Sequence, residues 1–487
     1  MNEYQQFARR IGLIGITNLF IGLSGLILLP ILTKTLPIEE YGTYVQITVT
    51  IGLIPGIVML GLPYTMVRFL AATKSREGVQ EGYYSIVGIT VLSAGLASVA
   101  LFLLAEPIAA ALFDGRTTVT RILALVVFLE CMNLLQYNYF RTFQQIKRYS
   151  SLLLLKTCLQ LISVAALVLA SYGIFGAVVG LLITNLLLFV VMGILIVSEI
   201  GVAVPKFRHL WEYLAFGLPT VPGNISSWVV NSSDRYMITL FLGTAYVGYY
   251  FPGYFLGQII NMFFAPLAFM LPATLSKHYD ENNTETVRTI LSYSKKYFIT
   301  LAVPSVVGLS LLSKPLLVIL ATPEIAENSY LITLFTSLGM LFFGIRAIDS
   351  QILILEKKTM ITGKIWLLSG FLNIMFNIYF IPTFGIVGAA ITTLVTYVLA
   401  YLILGYISRR YLALPKDPQF VCKCLLASAL MAIILLYLNP IDLCAIMMTL
   451  VVCIIVYMGT LLVLKGFTKH EIDCFKKIFS GNVKKIL

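Results

Sequence analysis

Charge is what this chain has least of. Asp, Glu, Lys and Arg make up 11% of its 487 residues, where a soluble domain carries about a quarter. With 59% hydrophobic residues, there is too little polar material to cover a water-facing surface. A soluble fold is excluded, and lipid must solvate most side chains. Other things are missing too. There are three histidines (His209, His278, His470) and seven cysteines, most of the latter inside apolar runs. Cys422-x-Cys424 has the wrong spacing for a zinc knuckle, so no metal site is expected. No P-loop is present, so no ATP hydrolysis by this chain is expected. No nucleophile elbow or zinc-hydrolase motif occurs, and no loop between apolar runs is long enough for a catalytic domain. No cofactor is implied, and coupling to protons or sodium stays open.

What remains is a series of apolar runs, at 11–33, 42–67, 84–104, 118–140, 151–171, 174–198, 211–236, 244–273, 292–313, 328–353, 361–381, 384–408, 420–438 and 441–464. Each is long enough to cross a hydrocarbon core about 30 Å thick. The expected fold is an all-α polytopic membrane protein of about 14 transmembrane helices. The first run ends without a small-residue cleavage site and reads as a retained helix. The connectors at 171–174 and 381–384 are so short that their flanking helices should form antiparallel hairpins.

The net charge of +12 is topological rather than a sign of nucleic-acid binding. With both termini placed in the cytoplasm, 26 of the 34 Lys and Arg residues fall on the cytoplasmic side. Only Lys34, Arg116, Arg121 and Lys314 fall outside. That is a strong positive-inside bias, and one missed span would scramble it. Beyond the last run, Thr468 and Glu471 fit a capping box. Ile472, Phe475 and Phe479 then recur at helical spacing, as in an interfacial helix on the inner leaflet.

Two segment pairs repeat. Leu36…Gly42-Thr43-Tyr44 returns as Leu242…Gly248-Tyr249-Tyr250, and Tyr172-Gly173-Ile-Phe-Gly176-Ala177 as Phe384-Gly385-Ile-Val-Gly388-Ala389. The offsets, 206 and 212, imply two parallel six-helix lobes related by an axis along the membrane normal. The expected organisation is residues 1–200 and 208–410 as the two lobes, 418–466 as helices thirteen and fourteen, and 467–487 as a cytoplasmic tail.

Three stretches carry a family likeness: Leu36-x5-Gly42-x-Tyr44; Asn231-x2-Asp234-Arg235 with Leu242-Gly243…Gly248-Tyr249-Tyr250; and Leu372-Asn373-x3-Asn377-x3-Ile381-Pro382-x2-Gly385-x2-Gly388-Ala389-Ala390. Together they resemble the polysaccharide transporters of the multidrug/oligosaccharidyl-lipid/polysaccharide exporter superfamily, and within it the O-antigen and lipid-linked-oligosaccharide flippases. The resemblance implies two MATE-like bundles in a V around a central cavity. It also implies flipping of a polyprenyl-pyrophosphate-linked oligosaccharide, among membrane lipids, to the outer leaflet. A glycan polymerase and glycosyltransferases of the same pathway would be its partners.

Ionisable groups inside membrane helices face partners or wet cavities by default. A pyrophosphate headgroup needs fixed positive charge, and Arg adds bidentate geometry. Arg235 and Arg346 are the first candidates to bind it, followed by Lys364, Lys156 and Arg68, with Asp234 and Asp349 beside the arginines. Both lysines could instead snorkel to the inner surface, and Arg68 could be a plain topological anchor. Arg346 and Asp349 lie three apart on one helix face and could pair. Arg235 could be neutralised by Asp234 or emerge at the outer interface. Glu130 could couple transport to protons, or only accept a hydrogen bond from a neighbouring helix. The aromatic run Tyr246, Tyr249, Tyr250, Phe251, Tyr254 and Phe255 suits either sugar contact or an interfacial belt. Pro219, Pro222 and Gly223 mark a hinge in helix seven. Two other functions are kept open: a cation-coupled multidrug exporter, which needs acidic cavity residues, and an embedded glycan polymerase or glycosyltransferase, which needs a large outer loop.

Overall fold

In hydrocarbon every backbone N–H and C=O must be satisfied within its own segment, so each apolar run closes into a helix. The computed structural model describes residues 3–73, 75–415, 417–468 and Glu471, and contains no strand among them. Eleven helical stretches are long and apolar enough to cross a membrane, which makes this a multi-pass integral membrane protein. Two of them, Ile146–Ile200 and Thr359–Ser408, double back. In the first, Ser163 Oγ lies 2.9 Å from Thr184 Oγ1, though a straight helix would separate them by about 31 Å. In the second, Asn373 Nδ2 reaches Thr396 Oγ1 at 3.5 Å, against about 34 Å in a straight helix. The less apolar helix Val221–Leu242 completes fourteen.

We number the helices α1 (Glu3–Thr35), α2 (Ile38–Val58), α3 (Arg76–Leu103), α4 (Thr117–Thr142), α5 (Ile146–Leu167), α6 (Gly173–Ile200), α7 (Val221–Leu242), α8 (Thr244–Gly257, continued by Asn261–Asp280), α9 (Thr284–Leu320), α10 (Pro323–Leu355), α11 (359–384), α12 (386–408), α13 (Pro418–Leu438) and α14 (Leu443–Val463). Shorter helices extend α2 (Leu62–Leu70) and precede α7 (Leu210–Gly217). Helix α9 runs well past the expected 292–313. The side chain of Asn283 caps it by accepting from the Thr286 N–H, which starts the helix in polar sequence before the apolar run begins.

The repeat is legible in the backbone. Both hairpin turns pivot on a glycine in nearly the same left-handed conformation: Gly173 at φ 56°, ψ −146° and Gly385 at φ 61°, ψ −144°. Residues with a Cβ are strained there. The other repeated glycine pair meets in space. A Cβ on Gly42 would lie 2.0 Å from the Thr244 carbonyl oxygen, and one on Gly248 would lie 2.6 Å from that of Ile38. Lipid offers no hydrophobic drive for helix association, so packing of small residues brings α2 and α8 together, joining the two lobes on their pseudo-axis.

Helices α13 and α14 pack on the outer flank of α9. Phe420, Cys424, Ala427 and Met431 share a buried cluster with Ile299, Val303 and Leu312, and the Tyr457 hydroxyl donates to the Thr300 carbonyl at 2.9 Å. The capping box forms: the Thr468 N–H donates to the Glu471 carboxylate at 2.7 Å, and the Glu471 N–H to Thr468 Oγ1 at 3.3 Å. Lys296 of α9 clamps the same carboxylate at 2.8 Å. Burial pushes the Glu471 carboxyl up, but the Lys296 and Thr468 hydrogen bonds outweigh it and hold it below its ordinary value. The expected interfacial helix at Ile472, Phe475 and Phe479 lies outside the described residues.

Candidate functional site

Connections alternate between two faces of the molecule. At the α1–α2 face the lobes are tied together. Asp114, in the α3–α4 turn, accepts a hydrogen bond from Thr43 of α2 at 3.3 Å and another from Thr244 of α8. The Lys34 ammonium donates to the Ile319 carbonyl at 2.7 Å. Arg116 pairs with Glu40 at 3.1 Å, and Glu40 also receives the Ile174 N–H at 2.9 Å. Towards the α2–α3 face, Gly61 and Gly217 bring α2's extension against the start of α7: a Cβ on Gly61 would lie 2.1 Å from the Gly217 carbonyl oxygen.

Between these contacts lie two adjoining cavities. The larger, about 390 Å³, is lined by Thr48, Val49 and Gly52 of α2, by Trp228, Asn231, Ser232 and Arg235 of α7, by Phe251, Tyr254 and Phe255 of α8, and by Gln258 in the 3-10 turn between its two parts. The smaller, about 270 Å³, shares Gly52, Trp228, Asn231 and Ser232 with it and extends past Gly56, Asn224 and Ser227. The α7 lining residues Asn224, Trp228, Asn231 and Arg235 are three or four apart, which aligns them in one stripe.

Arg235 is the single charged residue of that lining. Its guanidinium is 3% exposed and lies 3.9 Å from the Tyr254 ring centroid, an attractive cation–π geometry. Asp234 stands 3.1 Å away. That carboxylate is itself held by the Tyr250 hydroxyl at 2.5 Å and by the Arg235 N–H at 2.9 Å. Arg235 also donates to the Asn231 carbonyl, while its Nε has no hydrogen-bond partner among the described residues. The site is thus a neutralised arginine with donor capacity left, a form suited to an incoming oxyanion.

Arg346, on α10 of the same lobe, is 4% exposed and lines neither cavity. Its guanidinium lies 4.3 Å from the Trp366 ring centroid and 5.3 Å from that of Phe343, and its Nε has no hydrogen-bond partner among the described residues. A polar-aromatic chain joins it to Arg235. Phe343 packs edge-on against Tyr397, the Tyr397 hydroxyl donates to Asn231 Oδ1 at 2.7 Å, and the Tyr254 hydroxyl donates to the Asn231 carbonyl at 3.0 Å. Beside it, Ser233, Asn373, Asn377 and Thr396 form a second buried polar chain.

The Arg346–Asp349 pair does not form. Asp349 takes Lys295 of α9 at 2.6 Å, because the long α9 brings an ammonium to its side that same-helix spacing cannot reveal. Lys156 does not snorkel. It crosses from α5 to Glu130 of α4, with Nζ–O distances of 2.6 and 2.8 Å, so Glu130 accepts from a neighbouring helix. Lys364 and Arg68 are exposed and outside both cavity linings. Pro219 lies in a 3-10 turn, Leu218–Thr220, that breaks α7 from its preceding helix; Pro222 and Gly223 follow in the first turn of α7. Of the aromatic run, Phe251, Tyr254 and Phe255 reach the cavity, while Tyr246 and Tyr249 stay at the α1–α2 face, where Tyr249 donates to Glu324. Trp228 and Asp114 escape the sequence reading. The three- and four-residue spacing of Asn224, Trp228, Asn231 and Arg235 was the available signal for the first; a lone acid in a turn gives none for the second. Among the described residues no group of three or more His, Cys, Asp or Glu could hold a metal ion.

Among the described residues, fourteen membrane-spanning helices in two pseudo-symmetric lobes around a central cavity define a MATE-like fold. The chain superimposes on the lipid II flippase MurJ in an inward closed conformation with a TM-score of 0.77 at 18% identity, covering 92% of this chain and 98% of the other. An inward-facing multidrug resistance MATE transporter follows at TM-score 0.67 and 14% identity, covering 81% and 97%. Residues 31–327, more than half of the chain, match the family of polysaccharide biosynthesis proteins, and the chain belongs to that family. It is also 20% identical over 228 residues to the probable low-salt glycan biosynthesis flippase Agl15 of Haloferax volcanii; the match spans about half of each protein, 47% of this chain and 48% of the relative.

Proposed function

We propose that this protein flips a polyprenyl-pyrophosphate-linked oligosaccharide, such as an O-antigen or other surface-polysaccharide repeat unit, across the cytoplasmic membrane by alternating access. The observation that carries the reading is Arg235: a buried arginine that lines a cavity between two lobes and whose Nε is unengaged among the described residues. The family and the relatives' glycan roles support it. The excess of Lys and Arg at the α2–α3 face supports assigning that face and both termini to the cytoplasm, and the Asp114 face to the outside. The pyrophosphate binds at Arg235, with Arg346 behind it, and the lipid chain remains in the bilayer. Glycosyltransferases supply the substrate and a polymerase or ligase consumes it. A cation exporter needs a free cavity carboxylate, whereas Asp234 is engaged by Arg235 and Tyr250.

Reconstitution tests this. Proteoliposomes carrying a fluorescent short-chain polyprenyl-pyrophosphate disaccharide should transfer it between leaflets far faster than empty vesicles, read by quenching from one side. Equal rates with and without the protein would overturn the proposal.

A further inference from the structure

We infer that the smaller cavity compartment is a saccharide subsite selecting an uncharged first sugar, with Trp228 as its stacking face and the open face of α2 at Gly56 as the other wall. This rests on the proposed function and specifies its substrate.

The two compartments differ in chemistry. The larger contains Arg235, whereas the smaller is lined without any ionisable side chain. They meet at Trp228, Asn231 and Ser232, so a ligand whose anionic group contacts Arg235 places its next unit beside Trp228. That unit meets groups with unused hydrogen-bonding capacity. The Ser227 and Ser232 hydroxyls, the Asn224 amide nitrogen and the Trp228 indole N–H have no partner among the described residues. The Asn231 side chain, by contrast, is occupied at both ends, by the Ser227 carbonyl and by Tyr397.

The glycines sharpen the argument. Glycine inside a helix costs about 1 kcal/mol against alanine, normally repaid by close packing. At Gly42 it is, since a Cβ would strike the Thr244 carbonyl oxygen at 2.0 Å. At Gly56 a Cβ would meet nothing within 4 Å, and at Gly52 only the Trp228 indole nitrogen at 3.9 Å. Residues 52 and 56 share one face of α2. The slot is therefore narrow at Gly52, where a Cβ would already contact the indole, and open at Gly56, whose missing side chain leaves space rather than admitting a neighbouring helix. A slot with one aromatic wall, one smooth wall and neutral amides and hydroxyls fits a pyranose, whose C–H face stacks and whose rim hydroxyls hydrogen-bond. A uronic acid there would bury a carboxylate with no cation in the compartment lining, which is costly.

Calorimetric titration of the full-length protein in detergent tests this with three probes: geranyl pyrophosphate, its N-acetylglucosaminyl ester, and the glucuronosyl equivalent. The neutral sugar should tighten binding over bare pyrophosphate by about tenfold, ~1.4 kcal/mol; the uronic acid should not. Gly56→Leu, which fills only the smaller compartment, should abolish the gain and keep bare pyrophosphate within about twofold of wild type, ~0.4 kcal/mol. Trp228→Ala should lose the gain and Trp228→Phe retain most of it. Equal affinity for all three probes, or a sugar gain surviving in both Gly56→Leu and Trp228→Ala, overturns the subsite and leaves the pyrophosphate site standing. Failure of bare pyrophosphate to bind wild-type protein overturns both.

Discussion

Helices α1 and α7 are the same element twice, and they do opposite things. At the repeat offset of 206, Asn18 corresponds to Asn224, Gly22 to Trp228, Gly25 to Asn231, Leu28 to Asp234 and Leu29 to Arg235. Where α7 presents a tryptophan, an amide and a buried ion pair, α1 presents two glycines and two leucines. The glycines let α8 approach: a Cβ on Gly25 would lie 2.7 Å from the Phe255 ring, and one on Gly22 would lie 3.4 Å from Met262. One copy supplies room and the other supplies chemistry. The lobes divide in the same way. The embedded charges of the first lobe, Glu130 and Lys156, cancel each other between α4 and α5, and Arg235 of the second lobe alone brings charge to the cavity lining.

Removing Arg235 breaks the comparison most completely. Arg235→Ala should reduce transport in the proteoliposome assay about a hundredfold, ~2.8 kcal/mol, because both lobes then present only neutral groups. It also strands Asp234, 1% exposed, and breaking a buried pair costs about 3–5 kcal/mol. The Asp234→Asn/Arg235→Gln double variant removes both charges, so it should regain most of the thermal stability while remaining inactive. A stable, transporting double variant would show that the charge asymmetry between the lobes carries no function.

The clasp at the α1–α2 face offers a second break. Thr43 with Asp114 in one lobe matches Tyr249 with Glu324 in the other, at offsets of 206 and 210. The two acids are equivalent in place, but Asp114 also reaches Thr244 of the opposite lobe. A hydrogen bond to a charged acceptor contributes about 1.5 kcal/mol or more. Asp114→Ala should therefore speed labelling of a Thr48→Cys reporter by an impermeant maleimide, added from that face, about tenfold. Glu324→Gln, which touches only its own lobe, should change the rate far less. Equal acceleration by both would mean that Asp114 is not the cross-lobe latch.

Sequence carries this architecture well and the pairing of its charges poorly. Helices, hairpin turns and the repeat are written locally, in run length, in glycines such as Gly173 and Gly385, and in offsets. Placing Arg235 required only that a charge inside an apolar helix find a wet or paired environment. Lys295 with Asp349 depended instead on how far α9 extends and how it packs on α10, which no local pattern encodes. Trp228 went unnoticed because an aromatic on an apolar helix suits lipid as well as a cavity; only the open space at Gly56 distinguishes the two. Asp114 lies in a turn, where an acid is ordinarily just solvated.

The smallest effect expected is the most informative about the first lobe. Glu130 is buried and pairs with the part-buried Lys156 at Nζ–O distances of 2.6 and 2.8 Å, and neither lines the cavities. Replacing a buried ion pair by apolar or neutral groups of similar size is often neutral or stabilising, whereas removing one partner leaves an uncompensated charge. Lys156→Met alone should therefore lower the melting temperature, and Glu130→Gln/Lys156→Met should restore it. If the pair only joins α4 to α5, the double variant should transport within about twofold of wild type, ~0.4 kcal/mol, at every pH. If Glu130 instead carries protons, the stable double variant loses transport together with its pH dependence. The first lobe would then hold chemistry of its own, and the division of labour between α1 and α7 would not extend to the lobes as wholes.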